Sequence, residues 1–267
     1  IFASELKALL KHPGLPKAID ETALKHYFTY EYVPAPYSII KGVSKLKQAH
    51  YLLYDGNIKT ESYWNQSFAT ANDDDEKTAC KNLLGHLDQA TTHRLISDVP
   101  LGVFLSGGVD SSAIVALMAR QREGKDIKTF SINFKEASYD ESLYSAAVAK
   151  HFGTDHHEQT LTASLMLDIL PKVSAYMDEP FADGSILPTY LLSQFTRKHV
   201  TVALGGDGAD ELFAGYPTFF ASRVAGVYQK FPSLFKKAAH GLTNMLPTSD
   251  KNMSLDFKAR QFLMGAD

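Results

Sequence analysis

The sequence is poor in the features that mark several classes of protein. Its 267 residues contain one cysteine, Cys80, so no internal disulfide can form and a reducing, cytoplasmic compartment is expected. No apolar run approaches the roughly 20 residues that a membrane-spanning helix needs. With 27 Lys and Arg against 30 Asp and Glu, the formal net charge is −3, which leaves no basic excess for a nucleic acid. We therefore expect small-molecule partners, with neither a membrane nor a nucleic acid among them.

Residues 1–72 differ in pattern from the rest of the chain. Two short amphipathic stretches, 4–10 and 20–30, precede two β-prone runs that are joined by the turn signal Asp55-Gly56-Asn57. Neither part is long enough to form a core, so we expect the region to pack against something else, with Trp64 buried at that junction. The acidic cluster at 72–76 supplies candidates for the N-cap of the next helix.

From residue 73 onward, strands alternate with helices. The predicted strands are 101–105, 129–134, 156–160 and 201–204, and the predicted helices are 77–95, 111–122, 141–152, 165–176 and 186–198, followed by a mostly helical tail. The first of these helices has an apolar stripe of Leu83, Leu84, Leu87 and Ala90. This alternation predicts an α/β fold, a parallel twisted sheet with helices on both faces, in which ligands bind at the carboxyl ends of the strands.

The first chemical motif is the segment Ser106-Gly107-Gly108-Val109-Asp110-Ser111-Ser112, between a strand and a helix. Adjacent glycines, a helix N-terminus and serine hydroxyls together suit a phosphate group. Asp110 would repel a bare phosphate, which implies a bridging cation such as Mg²⁺. The Walker A lysine is missing, which disfavours ordinary γ-phosphate transfer. The alternative is a tight turn with a capping Asp or Ser.

The second motif, Gly205-Gly206-Asp207-Gly208-Ala209-Asp210-Glu211, follows the last predicted strand. Its glycines permit close backbone approach, and its carboxylates are ligands for a hard cation. The alternative is an N-cap followed by an acidic first turn. In a parallel sheet both motifs lie at the same edge, so one site can use both.

Together these motifs resemble the synthetase domain of glutamine-hydrolysing asparagine synthetases, members of the ATP-pyrophosphatase (PP-loop) group with an adenine nucleotide alpha-hydrolase-like fold. The segments YVPAPYSIIKGV, TFSINFKEASYDES, HFGTDHHE and MDEPFADGSILPTYLLS are similar to that family as well. The resemblance therefore covers nearly the whole chain.

The resemblance implies a set of site residues. Leu105, Ile132, Gly205 and Gly206 would surround the nucleotide, and Ser106, Gly107, Gly108, Asp110 and Ser111 its pyrophosphate. Asp110 and Asp210 would hold Mg²⁺, and the catalytic set would be Ser106, Asp110, Asp207 and Asp210. ATP and Mg²⁺ are thus the implied cofactors.

The implied reaction is the attack of an aspartate side-chain carboxylate on the α-phosphorus of ATP, which gives β-aspartyl-AMP and pyrophosphate. Ammonia, released from glutamine by a glutaminase domain in the same protein, then displaces AMP to form asparagine. Asp178, Glu179 and Asp183 are candidates for the wall on the acceptor side, with helix capping and surface charge as the alternative. A homodimer is left open.

The chain also departs from this family. It shows no counterpart of the glutaminase domain with its N-terminal cysteine, and it does not reach a later block with a basic lysine. We therefore expect residues 1–72 to be a connecting region from a missing glutaminase domain and residues 73–267 to be an incomplete synthetase domain that binds ATP but turns over slowly. Gln48-Ala49-His50 stands where the family more often has Pro-Pro-Gly-His.

Three rival functions remain. An amide-forming enzyme of the same fold could activate another carboxylate, on a sugar acid, a peptide or a β-lactam precursor. A tRNA-modifying PP-loop enzyme is disfavoured by the balanced charge and the lack of a CxxC pair. A catalytically silent partner would bind no Mg-ATP.

The histidine-rich segment around His156 suggests a metal site at first sight. However, His156 and His157 are adjacent on a predicted strand and point to opposite faces, so they cannot chelate together. We expect these two residues, with His151 and Glu158, to be structural.

Overall fold

The computed structural model describes residues 1–67, 73–136, 138–249 and 254–266. The chain forms two compact units: Ile1–Leu84 with Ala163–Leu191, and Gly85–Thr162 with Leu192–Asp267. Along the chain the helices are α1 (Leu6–Leu9), α2 (Glu21–Tyr30), α3 (Glu76–Arg94), α4 (Val109–Ala119), α5 (Ser142–Phe152), α6 (Ala163–Tyr176), α7 (Ile186–Thr196), α8 (Ala209–Phe213), α9 (Pro217–Tyr228), α10 (Ser233–Asn244) and α11 (Leu255–Ala266). The strands are β1 (His50–Tyr54), β2 (Ile58–Ser62), β3 (Leu101–Phe104), β4 (Lys128–Phe134), β5 (Asp155–Leu161) and β6 (Val202–Leu204).

The second unit contains a four-stranded parallel sheet in the order β5-β4-β3-β6. The predicted α/β fold is confirmed, and each predicted strand lies within a residue or two of its observed position. The chain leaves β3 toward β4 on one side, while β6 returns on the other side of β3. The strand order thus reverses between β3 and β6, and the crevice outside the carboxyl ends of these two strands is where ligands bind in such sheets.

The two faces of this sheet are packed differently. Val103 and Leu105 lie in an aliphatic core with Val115 and Met118 of α4, which we call the aliphatic face. On the other side, Phe104, Phe130 and His157 lie in register across β3, β4 and β5, with Phe195 and His199 packed against Phe130. We call these five residues the aromatic face. Gly102 has no side chain because the Phe130 ring occupies that position: a Cβ there would lie 2.6 Å from Phe130 Cε2.

The first unit contains a small core, which corrects the expectation that residues 1–72 have none. Leu6, Ala23, Val33 and Ile39 are buried together. Asp20 caps α2 by accepting a hydrogen bond from the Ala23 N–H at 2.9 Å. These short elements bury one side chain each, and the loops between them supply the rest.

The predicted hairpin is confirmed as the antiparallel pair β1–β2. Ala49, just before it, has a φ of 54°, in the left-handed region that favours glycine. Trp64 is 59% exposed, so its predicted burial is wrong. The hairpin side chains are almost all exposed, and no core forms around them.

Helix α3 confirms its predicted bounds but not its predicted apolar stripe. Asp75 accepts a hydrogen bond from the Thr78 N–H at 2.8 Å and so caps the helix, and the hydrogen bonds from Thr78 lower the pKa of this carboxyl group. Leu83 and Leu84 of the stripe are exposed, Leu87 and Ala90 are half-buried, and Thr91 is the one buried side chain of this helix. None of the described helices is both long and apolar enough to cross a membrane.

Candidate functional site

The first motif forms the turn from β3 into α4. Gly107 has a φ of 87°, and a Cβ on it would lie 2.5 Å from the Ser145 nitrogen and from Tyr144 Cβ. Glycine is therefore required here both for its backbone conformation and for the close approach of α5. The helix begins at Val109, two residues earlier than predicted, because Gly108 takes the N-cap position.

The two serines of this motif hold the turn together. The Ser106 N–H donates to Ser111 Oγ at 3.2 Å, and the two hydroxyl oxygens are 3.0 Å apart. The Gly108 N–H donates to Ser106 Oγ at 3.2 Å, and the Ser111 hydroxyl donates to the Gly108 carbonyl at 3.3 Å. Ser111 is buried, whereas Ser106 is exposed. Ser111 thus shapes the loop from inside, and Ser106 lies at its open side.

The start of α4 is suited to an anion. Gly108 has no side chain with which to cap the helix, and Val109, the first helical residue, is 85% exposed. The first amides of a helix lack partners within the helix and carry partial positive charge. A phosphate group placed here would accept hydrogen bonds from those amides.

The second motif leaves β6 and enters the short helix α8. Gly208, the N-cap residue, has a φ of 89° and no atoms within 4 Å of its would-be Cβ. Asp207 is exposed, and its Oδ2 would lie 2.6 Å from a Cβ on Gly205. The loop therefore combines acidic side chains with three glycines, at which the backbone carries no side chain.

The two motifs meet in space. A Cβ on Gly206 would lie 2.9 Å from Asp110 Cβ and 3.0 Å from the Ser111 nitrogen. The second loop thus packs its backbone directly against the first turn of α4, and only glycine permits this distance. This contact confirms that the two loops, at the carboxyl ends of β3 and β6, lie side by side, as the parallel sheet predicts.

The acidic groups of the second loop share one neighbour, Tyr216. Its hydroxyl donates to Glu211 Oε1 at 2.8 Å. That hydrogen bond, and the negative charges of Glu211, Asp210 and Asp207, raise the pKa of Tyr216 above its ordinary value of 10. Asp210 lies against Gly215, whose N–H donates to the Asp210 carbonyl at 2.9 Å. Sequence reasoning missed Tyr216 and Gly215, although both follow within six residues of Asp210.

The residues present fit a magnesium–nucleotide complex better than a resident metal ion. Within the described ranges, no group of three or more His, Cys, Asp and Glu side chains is arranged to hold a metal. Mg²⁺ at nucleotide sites commonly has one or two carboxylate ligands and takes the rest from phosphate and water. Asp110 and Asp210, one in each loop, are a donor set of that kind.

The other two residues suggested for the nucleotide site lie just after β3 and on β4. Leu105 is 1% exposed, its N–H donates to the Phe130 carbonyl at 2.9 Å, and its own carbonyl accepts from the Ser131 hydroxyl. Its side chain belongs to the aliphatic face. Ile132 is half-buried on β4, next to Ser131.

The three acidic residues suggested for the acceptor side are held by hydrogen bonds within the first unit. Asp178 and Glu179 bond to residues of the N-terminal segment. Asp183 accepts a hydrogen bond from the Ser185 N–H at 2.8 Å, just before α7 begins. All three belong to the first unit.

His156 and His157 point to opposite faces of β5, as predicted. His156 Nδ1 lies 2.7 Å from Thr129 Oγ1, and its Nε2 lies 3.1 Å from Glu158 Oε1. His157, on the opposite face, stacks on Phe130 with ring centroids 5.3 Å apart. The side chains of this histidine pair therefore pack on two different faces of one strand.

Comparison with known proteins gives two family matches. The family model described as Asparagine synthase matches residues 82–264, and the model described as Glutamine amidotransferase domain matches residues 1–64. Both loops of the candidate site fall within the first match.

Individual relatives agree with the first match. The chain is 36% identical over 260 residues to a putative asparagine synthetase (glutamine-hydrolyzing) 2 of Methanocaldococcus jannaschii, over 92% of this chain and 50% of the relative. It is 31% identical over 256 residues to asparagine synthetase (glutamine-hydrolyzing) 1 of Bacillus subtilis, over 95% of this chain and 40% of that protein. A more distant relative, amidase chyE of Penicillium rubens, is 26% identical over 284 residues, covering 99% of this chain and 40% of its own length.

The chain thus spans about half the length, or less, of these curated relatives. The asparagine synthase match, in contrast, takes in 183 of the 267 residues, with the sheet, α4 and both glycine-rich loops. On this evidence, the chain belongs to the asparagine synthase family.

Proposed function

We propose that this chain is the part of an asparagine synthetase that binds Mg-ATP and activates aspartate, as a ligase. The observation that supports this most is the contact of Gly206 with Asp110 and Ser111, which joins the two loops into one crevice. A phosphate-binding turn and an acidic loop can bind the same ligand when a cation lies between the carboxylates and a polyphosphate.

We further propose that residues 1–72 are a connecting region and that residues 73–267 belong to the synthetase domain. A glutaminase domain in the same protein would supply the ammonia. The match to an asparagine synthase model at 82–264 supports the second region, and the match to an amidotransferase model at 1–64 supports a glutaminase domain in the same protein. The free thiol of Cys80 suits a cytoplasmic enzyme.

In the proposed reaction, the first loop binds the phosphates of ATP. The amides at the start of α4 and the Ser106 side of the turn would donate hydrogen bonds to the pyrophosphate, and Ser111 keeps the turn in shape. Asp110 and Asp210 would hold Mg²⁺, which offsets the negative charge that gathers on the departing pyrophosphate. Asp207, exposed beside Gly205, adds to the negative charge that favours a cation here.

Little proton transfer is needed in the first step, because the carboxylate of aspartate is already ionised at neutral pH. Its oxygen forms a bond to the α-phosphorus, and the bond from that phosphorus to the bridging oxygen of the pyrophosphate breaks. Ammonia then attacks the activated carbonyl carbon, AMP leaves, and asparagine is released. The site's contribution is positioning and charge stabilisation.

A test of this proposal is Mg-ATP binding measured by calorimetry. Asp110→Ala and Asp210→Ala should each weaken binding by about tenfold or more, equivalent to at least ~1.4 kcal/mol. Asp98→Ala, at an exposed aspartate outside both loops, is the matched control and should bind as the parent does. A parent chain that does not bind Mg-ATP, or variants that bind it equally well, would contradict the proposal.

The identity of the carboxylate that is activated needs a separate experiment, because the similarity to an amidase leaves other carboxylates as alternatives to aspartate. Exchange of labelled pyrophosphate into ATP should depend on aspartate. Exchange with a sugar acid, a peptide or a β-lactam precursor, and none with aspartate, would replace asparagine synthesis with the activation of that carboxylate.

A further inference from the structure

Two adjacent carboxylates outside the candidate site, Asp178 and Glu179, have partners far away along the chain. They lie in the segment 177–185, which connects α6 to α7 and falls within the asparagine synthase match. Their partners all lie in the first 45 residues, within the amidotransferase match. Both sides of these contacts belong to the first unit.

Asp178 holds the start of α1. Its Oδ2 accepts a hydrogen bond from the Leu6 N–H at 2.6 Å, and its Oδ1 accepts from the Lys7 N–H at 3.2 Å. The Lys7 ammonium lies 3.7 Å from Oδ1 and also donates to the Tyr176 carbonyl at 3.0 Å. Glu5, at the N-cap position of α1, provides no side-chain hydrogen bond, so Asp178 performs the capping from another part of the chain.

Glu179 holds a second point of the N-terminal segment. Its Oε1 accepts a hydrogen bond from the Ile39 N–H at 2.8 Å, and its Oε2 pairs with the Lys45 ammonium. That ammonium also donates to the Val33 carbonyl at 2.7 Å. The Glu179 side chain is only 10% exposed, and these partners replace the water that its oxygens would otherwise bind. A backbone hydrogen bond from the Ala182 N–H to the Glu31 carbonyl, 2.9 Å, adds a third attachment.

These attachments surround a cavity of about 570 Å³ in the first unit. Its walls come from both segments and are mainly apolar, among them Leu9, Val33, Met177 and Phe181. Apolar contact sets no unique register between two segments, whereas a charged carboxylate bonded to given amides does. The carboxylates therefore fix how the two segments meet.

We propose that Asp178 and Glu179 are positioning residues that fasten the amidotransferase-matched segment to the synthase-matched segment and thereby align the two for nitrogen transfer. This rests on the proposed function, because only an enzyme that uses glutamine nitrogen needs such alignment. Neither carboxylate bonds to a residue of the two loops of the candidate site. The hydrogen bonds of those loops are local or go to Tyr216. Loss of the fastening should leave ATP chemistry intact and reduce the use of glutamine.

The variants are Glu179→Gln, Lys45→Met and the double variant in the complete enzyme. Glu179→Gln keeps an oxygen for the Ile39 N–H and loses the ion pair, which makes it less disruptive than a truncation. The parallel control is Glu123→Gln, which removes an exposed ion pair with Lys125 of 2.7 Å. Three quantities are measured: asparagine made from ammonia, asparagine made from glutamine, and glutamate released.

With ammonia, kcat and the KM for aspartate should stay within about twofold of the parent. With glutamine, the asparagine formed per glutamate released should fall about fivefold or more, and the double variant should be no worse than the worse single one, since both remove the same pair. An equal fall with both nitrogen sources would mean a merely structural role and would overturn the proposal, as would an unchanged ratio. A parent that makes no asparagine even from ammonia would instead refute the proposed function.

Discussion

The two loops of the candidate site meet at one crevice but are stabilised differently. The first, Ser106 to Asp110, is fixed by hydrogen bonds between its own serines and backbone and by the close approach of α5 to Gly107. The second, Gly205 to Glu211, has open space around Gly208, and its acidic groups contact neighbouring glycines and Tyr216. The first loop is thus preorganised for an anion, whereas the second supplies charge to a site that the first one shapes.

The largest effect is expected from Gly107→Ala, set against Gly208→Ala. Both glycines have positive φ, so each alanine meets the same backbone penalty of about 1 kcal/mol. At Gly107 the new Cβ also lies 2.5 Å from atoms of Tyr144 and Ser145, which raises the expected loss of unfolding free energy to about 3 kcal/mol. At Gly208 nothing lies within 4 Å, so about 1 kcal/mol is expected.

Urea denaturation of both variants measures the difference. Equal losses at the two positions would show that α5 does not confine the first loop, and the contrast between the loops would disappear.

Gly206→Ala tests whether the two loops depend on each other. Its Cβ would lie 2.9 Å from Asp110 Cβ, so the loops must separate by a few tenths of an ångström. We expect a loss of about 1–2 kcal/mol in unfolding free energy from this overpacking. Mg-ATP affinity should fall about tenfold, because Asp110 would be displaced from the second loop. Gly226→Ala, in α9 with nothing within 4 Å, is the control and should bind Mg-ATP normally.

The sequence was sufficient to predict the elements and the meeting of the loops, because both follow from local patterns. Hydrophobic alternation marks the strands, and the parallel arrangement brings Gly206 and Asp110 to the same edge. It was not sufficient for the contacts of Asp178 and Glu179, whose partners are 172 and 140 residues away. The exposure of Trp64, Leu83 and Leu84 was missed for a related reason. Burial depends on which elements pack nearby, whereas periodicity gives only the face of a helix that could be buried.

Ser111→Ala, paired with Ser112→Ala, tests the internal hydrogen bonds of the first loop. Ser111 Oγ bonds to Ser106 and to the Gly108 carbonyl, so its removal should cost about 1 kcal/mol and weaken Mg-ATP binding by a few fold. Ser112 Oγ is buried with no hydrogen-bond partner among the described residues, so its removal should change stability little. A loss of unfolding free energy in Ser112→Ala as large as that in Ser111→Ala would show that the hydrogen bonds of Ser111 do not hold the turn.

The smallest effect is expected at His199, which belongs to the aromatic face against which the second loop packs. Gly205 lies over Phe104, with 3.8 Å between its would-be Cβ and Phe104 Cδ2, and Phe104 belongs to the aromatic face. His199 is part of the same face, with its ring centroid 4.3 Å from that of His157. Burial, followed by the charges of His157, Lys128 and Lys198, lowers the pKa of His199 below its ordinary value of 6.5, and Asp155 opposes them.

The unfolded chain binds a proton on His199 more readily than the folded chain does. The free energy of unfolding is therefore highest above pH 6.5, where His199 is neutral in both states, and decreases as the pH falls below that value. The urea midpoint of the parent should therefore decline between pH 7 and pH 5. His199→Phe, which keeps a ring against Phe130 and cannot be protonated, should decline less, whereas His86→Asn, at an exposed histidine, should follow the parent. A decline in His199→Phe as steep as in the parent would place the acid sensitivity elsewhere. The aromatic face would then be as indifferent to pH as the aliphatic face that carries the first loop.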